Sequence, residues 1–280
     1  MPRVAIGVPV FNEQNYIAKT IASVIAQFED CSDLEILISD NGSTDHSIRE
    51  IEAVLDLFPK PSSAVRLSKH ETNLGAHFNF WHVYDETDSD YFLWVGGHDQ
   101  ISRSYVSLGL RHLDQFPEVA MFCGKHQAIL PDDRVVEDPV EYKFSQEHPI
   151  ERYLRSMATL VNCYIFHSMF RRSSLNGFDR ENKAPSMDHV LISRWLWSGR
   201  LVQSSECSYL RRYFDMGNYR KKHQAGSYVH EFNNVQFYDA YLSDLEKLSL
   251  DMPEHLRSWA IHKATDVLIQ RFGIPLAESR

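Results

Sequence analysis

The chain has 280 residues, 43% of them hydrophobic, with 38 acidic against 29 basic side chains and a formal net charge of −9. That length and apolar content can bury a sizeable core, as one large domain or two small ones. The acidic balance argues against nucleic acid as a main partner, because neutralising phosphates needs a basic face, while a small nucleotide ligand stays open.

In chain order, "VAIGVPV" (Val4 to Val10) is short, β-branched and apolar, the pattern of a buried parallel strand. Its apolar stretch breaks off too early for a signal peptide. "NYIAKTIASVIAQF" sets Ile17, Ile21, Val24 and Ile25 on one helical face. "LEILIS" reads as a second strand running into the turn-rich "DNGSTD", after which Ile48, Ile51, Val54 and Leu55 recur at helical spacing. "AVRLS" is a third strand, "NLGAHFNFWHVYD" a helix opening near Gly75, and "YFLWV" a fourth strand. Strand and helix in alternation predict an α/β fold around a mostly parallel sheet with right-handed crossovers. Ligands of such sheets sit beyond the carboxyl ends of the strands. Those ends read Pro9 to Glu13, Ser39 to Gly42 and Gly96 to Asp99, all polar or glycine-rich.

The second half is less regular. "VAMFCGKHQAIL" and "VNCYIFHSMFRR" read as strands, and "SMDHVLISRWLWSG" as an amphipathic helix ended by Gly199. "LVQSSECSYLRRYF" reads as strands around a turn, and from about Ser227 to Arg271 the pattern is helical with a break near Pro253. No apolar run approaches the ~20 residues that span a bilayer, which leaves only peripheral contact with a membrane. Cys31, Cys123, Cys163 and Cys207 lie far apart with no CxxC pair, the usage of reduced thiols in a cytoplasmic protein.

The common nucleotide fingerprints are missing. No GxGxxG follows the first strand, no GxxxxGK[ST] occurs, and no GxSxG elbow marks a hydrolase. Instead "VPVFNEQNYIAKTIASVIAQ", "ILISDNGSTDHS", "NLGAHFNF" and "WVGGHDQ" occur in the order and at the spacings of inverting family-2 glycosyltransferases. The chain resembles that family from Val4 to Gln100, and more loosely to about Phe214. The resemblance implies a GT-A fold with a Rossmann-like, mostly parallel central sheet flanked by helices, extended by a helical C-terminus. It implies a nucleotide-sugar donor, with UDP as the expected nucleotide, and a divalent cation, Mn2+ or Mg2+. It also implies a glycan or lipid-linked acceptor in bacterial surface polysaccharide synthesis. Residues 1–100 would bind the donor, 101–224 the acceptor and catalytic groups, and 225–280 would form the extension, all packed as one body. The oligomeric state, the sugar, the acceptor and the linkage are not legible.

Carried over position by position, Pro9, Phe11 and Glu13 fall where the family lines the base and ribose pocket. Phe11 stands where a tyrosine is frequent. Asp40 falls on the aspartate that meets the nucleobase edge, Asn73 and Gly75 on an NxG turn, and Asn79 on a polar position just beyond it. Pro9 and Gly75 would serve a tight turn in any fold, and Ser43, Thr44 and Asp45 suit a helix start. Where the family has a D-x-D or D-x-D-D stretch, this chain has Gly96-Gly97-His98-Asp99. The cation would then rest on Asp99 with His98, since imidazole suits manganese better than magnesium. Alternatively His98, with Gly97 beside it, contacts the diphosphate directly, or Asp99 merely caps a helix beginning near Ser102.

Inversion in one step needs a base for the acceptor hydroxyl. The family sets a carboxylate at a helix start, and "PSMDHVLISRWLWSG" places Asp188 there, with Met187 where a glutamate is usual. A first-turn carboxylate is also simply favourable to the helix dipole. Asp179 in "NGFDRE" is the second candidate base. Arg212, Arg220 and His223 in the basic, aromatic "YLRRYFDMGNYRKKH" could reach phosphate oxygens, as could a solvated loop with no such role. Two rival readings are a sugar nucleotidyltransferase, which lacks its glycine- and arginine-rich loop here, and a non-catalytic family member that binds nucleotide or glycan.

Overall fold

The computed structural model describes residues 2–58, 64–181, 186–214 and 234–273. Strands β1 (Val4–Val10), β2 (Leu34–Asp40), β3 (Val65–Lys69) and β4 (Tyr91–Trp94) pair in parallel in the order β3-β2-β1-β4. Every residue of β1 is buried, as expected of a strand covered on both faces. Val4, Ile6, Val8 and Val10 pack with Ile17, Ile21, Val24 and Ile25 of α1 (Ile17–Ile25), and Ile51 of α2 (Ser47–Leu57) joins them. Ala5 of β1 and Leu37 of β2 turn to the other face, against Val83 of α3 (Ala76–Asp85). The registry pairs Val10 with Asp40 and Asp40 with Lys69, so three strands end level with one another.

The sheet continues into the second half through β8 (Met169–Arg171), antiparallel to β4, then β6 (Val119–Ile129) and β9 (Arg200–Arg212). The short β5 (Gln100–Ile101) closes the far end on β9, and β7 (Val135–Glu137) pairs with β6. Helix α4 (Tyr105–Gln115) packs on β6, and α6 (Met187–Ser198), ended by Gly199 as expected, lies under the aromatic centre. There the rings of Phe170 and Trp195 stack at 4.4 Å between centroids, with Trp94 beside them. A ring buried in this way contributes about 1.5–3 kcal/mol. Helices α5 (Pro149–Thr159), α7 (Asn234–Leu248) and α8 (Glu254–Phe272) form a third core around Tyr153, Phe237 and Tyr241. The break at Pro253 between α7 and α8 matches the sequence. Among the described residues no helix is long and apolar enough to cross a membrane.

Two sequence expectations need correction. "VNCYIFHSMFRR" is not one strand: Tyr164–His167 form a 3-10 turn and only Met169–Arg171 pair in the sheet. "LVQSSECSYLRRYF" is not two strands around a turn. It contains one long strand whose pairing with β6 jumps from Ser204 to Ser208, a bulge that absorbs Ser205, Glu206 and Cys207 without reversing the chain.

Candidate active site

The loops after β1 and β2 are held together by side chains. The Asn12 N–H donates to Ser43 Oγ at 2.9 Å, and Asn12 Oδ1 accepts the Thr44 N–H at 2.8 Å. The Glu13 N–H donates to Ser47 Oγ at 2.7 Å and the Gln14 N–H to Asp45 Oδ2 at 3.1 Å. Asn12 takes a left-handed backbone, φ 55°, a conformation that asparagine tolerates better than most residues. Asp45 also accepts the Ser47 N–H at 2.9 Å, so the helix-start reading of that residue stands.

Asp40 closes β2 with no exposed surface. Its Oδ2 accepts the Ser43 N–H at 3.0 Å, and its Oδ1 is buried with no partner. A buried carboxylate oxygen without a donor is costly, and such exceptions mark strain or an absent ligand. Asn41, which sequence reasoning passed over, ties the NxG turn to this end. Its Nδ2 donates to Asn73 Oδ1 at 2.9 Å and to the Gly75 carbonyl at 3.1 Å, and its Oδ1 accepts the Leu74 N–H. Asn73 Oδ1 also accepts the Gly75 N–H at 2.8 Å, and Gly75 has φ 91°, open to glycine but strained for other residues. Asn79, expected along the donor, is turned inward. It accepts from Ser39 Oγ at 2.6 Å and donates to the Ser39 and Val10 carbonyls. It braces α3 against the strand ends and presents no polar atom to a ligand.

Gly96, Gly97, His98 and Asp99 follow β4. Asp99 is buried and its carboxylate is held on both oxygens. Tyr209 OH donates to Oδ2 at 2.8 Å and the Arg212 N–H to Oδ1 at 2.8 Å. Asp99 therefore does not cap the following helix, whose N-cap is Ser104. The glycines are explained by crowding. A Cβ on Gly96 would lie 2.7 Å from Asp99 Oδ2, and one on Gly97 would lie 3.2 Å from both Glu13 Cγ and the Pro9 carbonyl oxygen. His98 Nδ1 meets Glu13 Oε1 at 3.0 Å, while Nε2 faces Asp99 Oδ1 at 4.0 Å. The Glu13 carboxylate, expected in the base and ribose pocket, thus turns to His98. Arg212, expected to reach a phosphate, is also spent otherwise. Its guanidinium is buried, pairs with Asp133 at 2.7 Å and lies over the Tyr16 ring. Arg220 and His223 lie outside the described residues.

Asp188 occupies the first turn of α6, half-buried, with Oδ1 accepting the His189 N–H at 3.1 Å. The Cys163 thiol sits against its carboxylate, and burial together with that negative charge pushes the thiol far above its usual range. Four residues on, His167 donates from Nδ1 to the Trp94 carbonyl at 3.1 Å and stacks on Tyr209 at 4.9 Å, the tyrosine that holds Asp99. Burial lowers His167 to about 4, so its ring is neutral at pH 7. The turn Tyr164–His167 therefore bridges Asp188 and Asp99. Asp179, the second candidate base, is exposed, receives the Glu181 N–H and lies 3.8 Å from Lys247 Nζ.

A family model described as "Glycosyl transferase family 2" matches residues 5–178. The chain belongs to that family. It is a glycosyltransferase, and its curled sheet with flanking helices is the GT-A fold. Among solved structures, S. aureus TarS 1-349 in complex with UDP-GlcNAc has a TM-score of 0.63 at 15% identity, over 96% of this chain and 73% of that one. The same protein in complex with UDP has a TM-score of 0.54 at 16% identity, over 99% and 95%. The mannosyltransferase PcManGT from Pyrobaculum calidifontis, in complex with GDP-Man and Mn2+, has a TM-score of 0.56 at 14% identity, over 99% and 76%. No curated protein sequence matches the chain. The family-2 glycosyltransferase motifs and the strand-end loops coincide: Pro9, Phe11, Asp40, Asn73, Gly75 and the Gly96–Asp99 segment all lie on one rim of the sheet.

Proposed function

We propose that this glycosyltransferase moves a sugar, with inversion, from a nucleoside diphosphate donor to a hydroxyl of a glycan or lipid-linked acceptor, and that UDP carries the sugar. Phe11 and Asp40 frame the nucleobase, the orphaned Asp40 Oδ1 accepting a base N–H. The structural neighbours bound to UDP-GlcNAc, UDP and GDP-Man support a nucleotide sugar as donor.

Among the described residues no three His, Cys, Asp or Glu side chains gather as a cation site. His98 Nε2 and Asp99 Oδ1, 4.0 Å apart, nevertheless fit the smaller protein share of a site completed by substrate phosphates. His98 and Asp99 would hold the ion, and a nitrogen in the pair favours manganese. A divalent cation there would supply positive charge to the departing diphosphate.

The chain's own part in the chemistry falls to Asp188. The acceptor oxygen bonds to the anomeric carbon as the bond to the donor phosphate breaks, the nucleoside diphosphate leaves, and the hydroxyl proton passes to the Asp188 carboxylate. The observation that carries this reading is the Tyr164–His167 turn. It is flanked by Cys163 on the Asp188 carboxylate and, through His167 and Tyr209, meets the Asp99 carboxylate.

Asp188→Asn keeps the shape but takes no proton. Transfer should fall by roughly 100-fold or more, with UDP affinity unchanged by calorimetry. Normal transfer by Asp188→Asn together with a dead Asp179→Asn would reassign the base.

A further inference from the structure

Arg212 is spent on Asp133, but its neighbour Arg211 points the other way. Side chains alternate along a strand, so Arg211 shares a face with Tyr209 and Tyr213. The contacts agree. Tyr209 stacks on His167 at 4.9 Å, the Arg211 guanidinium lies over the Tyr164 ring at 4.8 Å from its centroid, and the Tyr213 hydroxyl touches that of Tyr164. This face of β9 therefore runs along the Tyr164–His167 turn.

Among the described residues Arg211 has no carboxylate partner and no hydrogen-bond acceptor, although it is half-buried. Arginines drawn out of solvent are normally paired. Elsewhere in this chain they are: Arg171 and Arg172 donate to carbonyls, while Arg194 and Arg212 reach Asp244 and Asp133. A second polar group beside Arg211 is also unspent. His126 pairs with Tyr209 across β6 and β9, which puts it on the same face, and its ring lies 5.3 Å from that of Tyr164. Both of its nitrogens are buried without a partner among the described residues. Such exceptions point to an absent polar ligand. A guanidinium presents its donors in a planar fork that matches phosphate or carboxylate oxygens, and stacking on an aromatic ring holds it in place.

The position of Arg211 decides which substrate brings the anion. Cys163, next to Tyr164, sits on the Asp188 carboxylate, so Arg211 stands on the side where the acceptor hydroxyl must lie. At the Gly96–Asp99 segment proposed for the donor phosphates, the Tyr209 hydroxyl and the Arg212 N–H are already committed to Asp99. The exposed Tyr213 ring extends the aromatic surface outward from Tyr164.

We propose that Arg211 recognises an oxyanion carried by the acceptor, so that the acceptor is a glycan bearing phosphate or carboxylate, seated along Tyr164 and Tyr213 with its free hydroxyl toward Asp188. This inference rests on Asp188 as the base. Normal transfer by Asp188→Asn would sink that reading and leave the binding measurements below untouched.

The test uses the full chain with UDP and Mg2+ at saturation, so that the donor site is filled. Inorganic phosphate, followed by 31P line broadening, should bind the wild type alongside UDP. Arg211→Gln should weaken that binding roughly 10- to 100-fold. Arg211→Lys should weaken it less, and neither change should move the UDP Kd by more than about threefold. Glucose 6-phosphate and glucuronate should displace the phosphate where glucose does not, and the tighter of the two names the anion. Phosphate expelled by UDP, or a UDP Kd raised about tenfold or more in Arg211→Gln, would assign Arg211 to the donor diphosphate and overturn the proposal. Phosphate binding that survives Arg211→Gln, no phosphate binding by the wild type, or no difference between the charged sugars and glucose would overturn it as well. Should Arg211→Gln fail to fold, Arg211→Lys and the wild-type competition with UDP still decide.

Discussion

Asp40→Ala separates two roles of one buried carboxylate. In the free protein Oδ2 holds the Ser43 N–H at 3.0 Å while Oδ1 has no partner. Removing the carboxylate strands the Ser43 N–H, a cost of about 1–3 kcal/mol. It also relieves the burial of an incompletely matched charge, worth several kcal/mol in the opposite sense. The two contributions offset one another, so the melting temperature of the free protein should move by no more than about 4 °C. In the nucleotide complex there is no such offset. Loss of a hydrogen bond to a charged acceptor costs about 1.5–3 kcal/mol, which raises the UDP Kd roughly 10- to 150-fold. Titration calorimetry with UDP, alongside a thermal melt of the same preparations, reads both quantities. A Kd changed by less than about threefold would remove Asp40 from the nucleotide site. So would a melting temperature lowered by more than about 10 °C with affinity intact, since Asp40 would then serve the fold and not the nucleotide.

The remaining expectations concern the support of the site. Asp244 of α7 pairs with Arg194 of α6, both side chains about 5% exposed or less, and burial pushes the Asp244 carboxyl up to about 6 despite its partner. Asp244→Ala leaves the Arg194 charge buried and unpaired and should cost about 3–5 kcal/mol in urea unfolding, while the double change Arg194→Met with Asp244→Leu should recover most of it. Burial lowers His126 and His167 to about 4 from 6.5, so the unfolded chain binds protons in that window that the folded chain does not. Stability from these two rings is complete above pH 6.5 and is lost as pH falls through about 4; Asp244, raised from 3.8, works the opposite way but as one group against two. Urea midpoints measured from pH 7 to pH 5 should therefore fall, and His126→Phe should make the decline shallower. Gly96→Ala drives a Cβ to 2.7 Å from Asp99 Oδ2. It should abolish Mn2+-stimulated UDP binding in a thermal-shift assay, at a folding cost of about 1–3 kcal/mol.

Short-range periodicity is legible in the amino-acid order alone. The apolar run of Val4–Val10, the helical face of Ile17 to Ile25 and the stop at Gly199 each follow from neighbours within a turn or two. Motif spacing likewise placed Phe11, Asp40, Gly75 and Asp99 at strand ends, because a parallel sheet brings such ends to one rim. Tertiary structure decided which side chains face a ligand and which brace those that do. Asn79 has the same composition cue as Asn73, yet it is buried under the strand ends because α3 packs its inner face there. Glu13 meets His98 across 85 positions, Asp99 meets Tyr209 across 110, and Arg194 meets Asp244 across 50. No local pattern encodes these pairs. Each polar group could have been satisfied by water or another partner, and only the packing that excludes water there leaves it the one it has. The Tyr164–His167 turn follows the same logic: its rings suit a strand or a turn, and contact with Trp94, Tyr209 and Trp195 selects the turn that joins the two carboxylates.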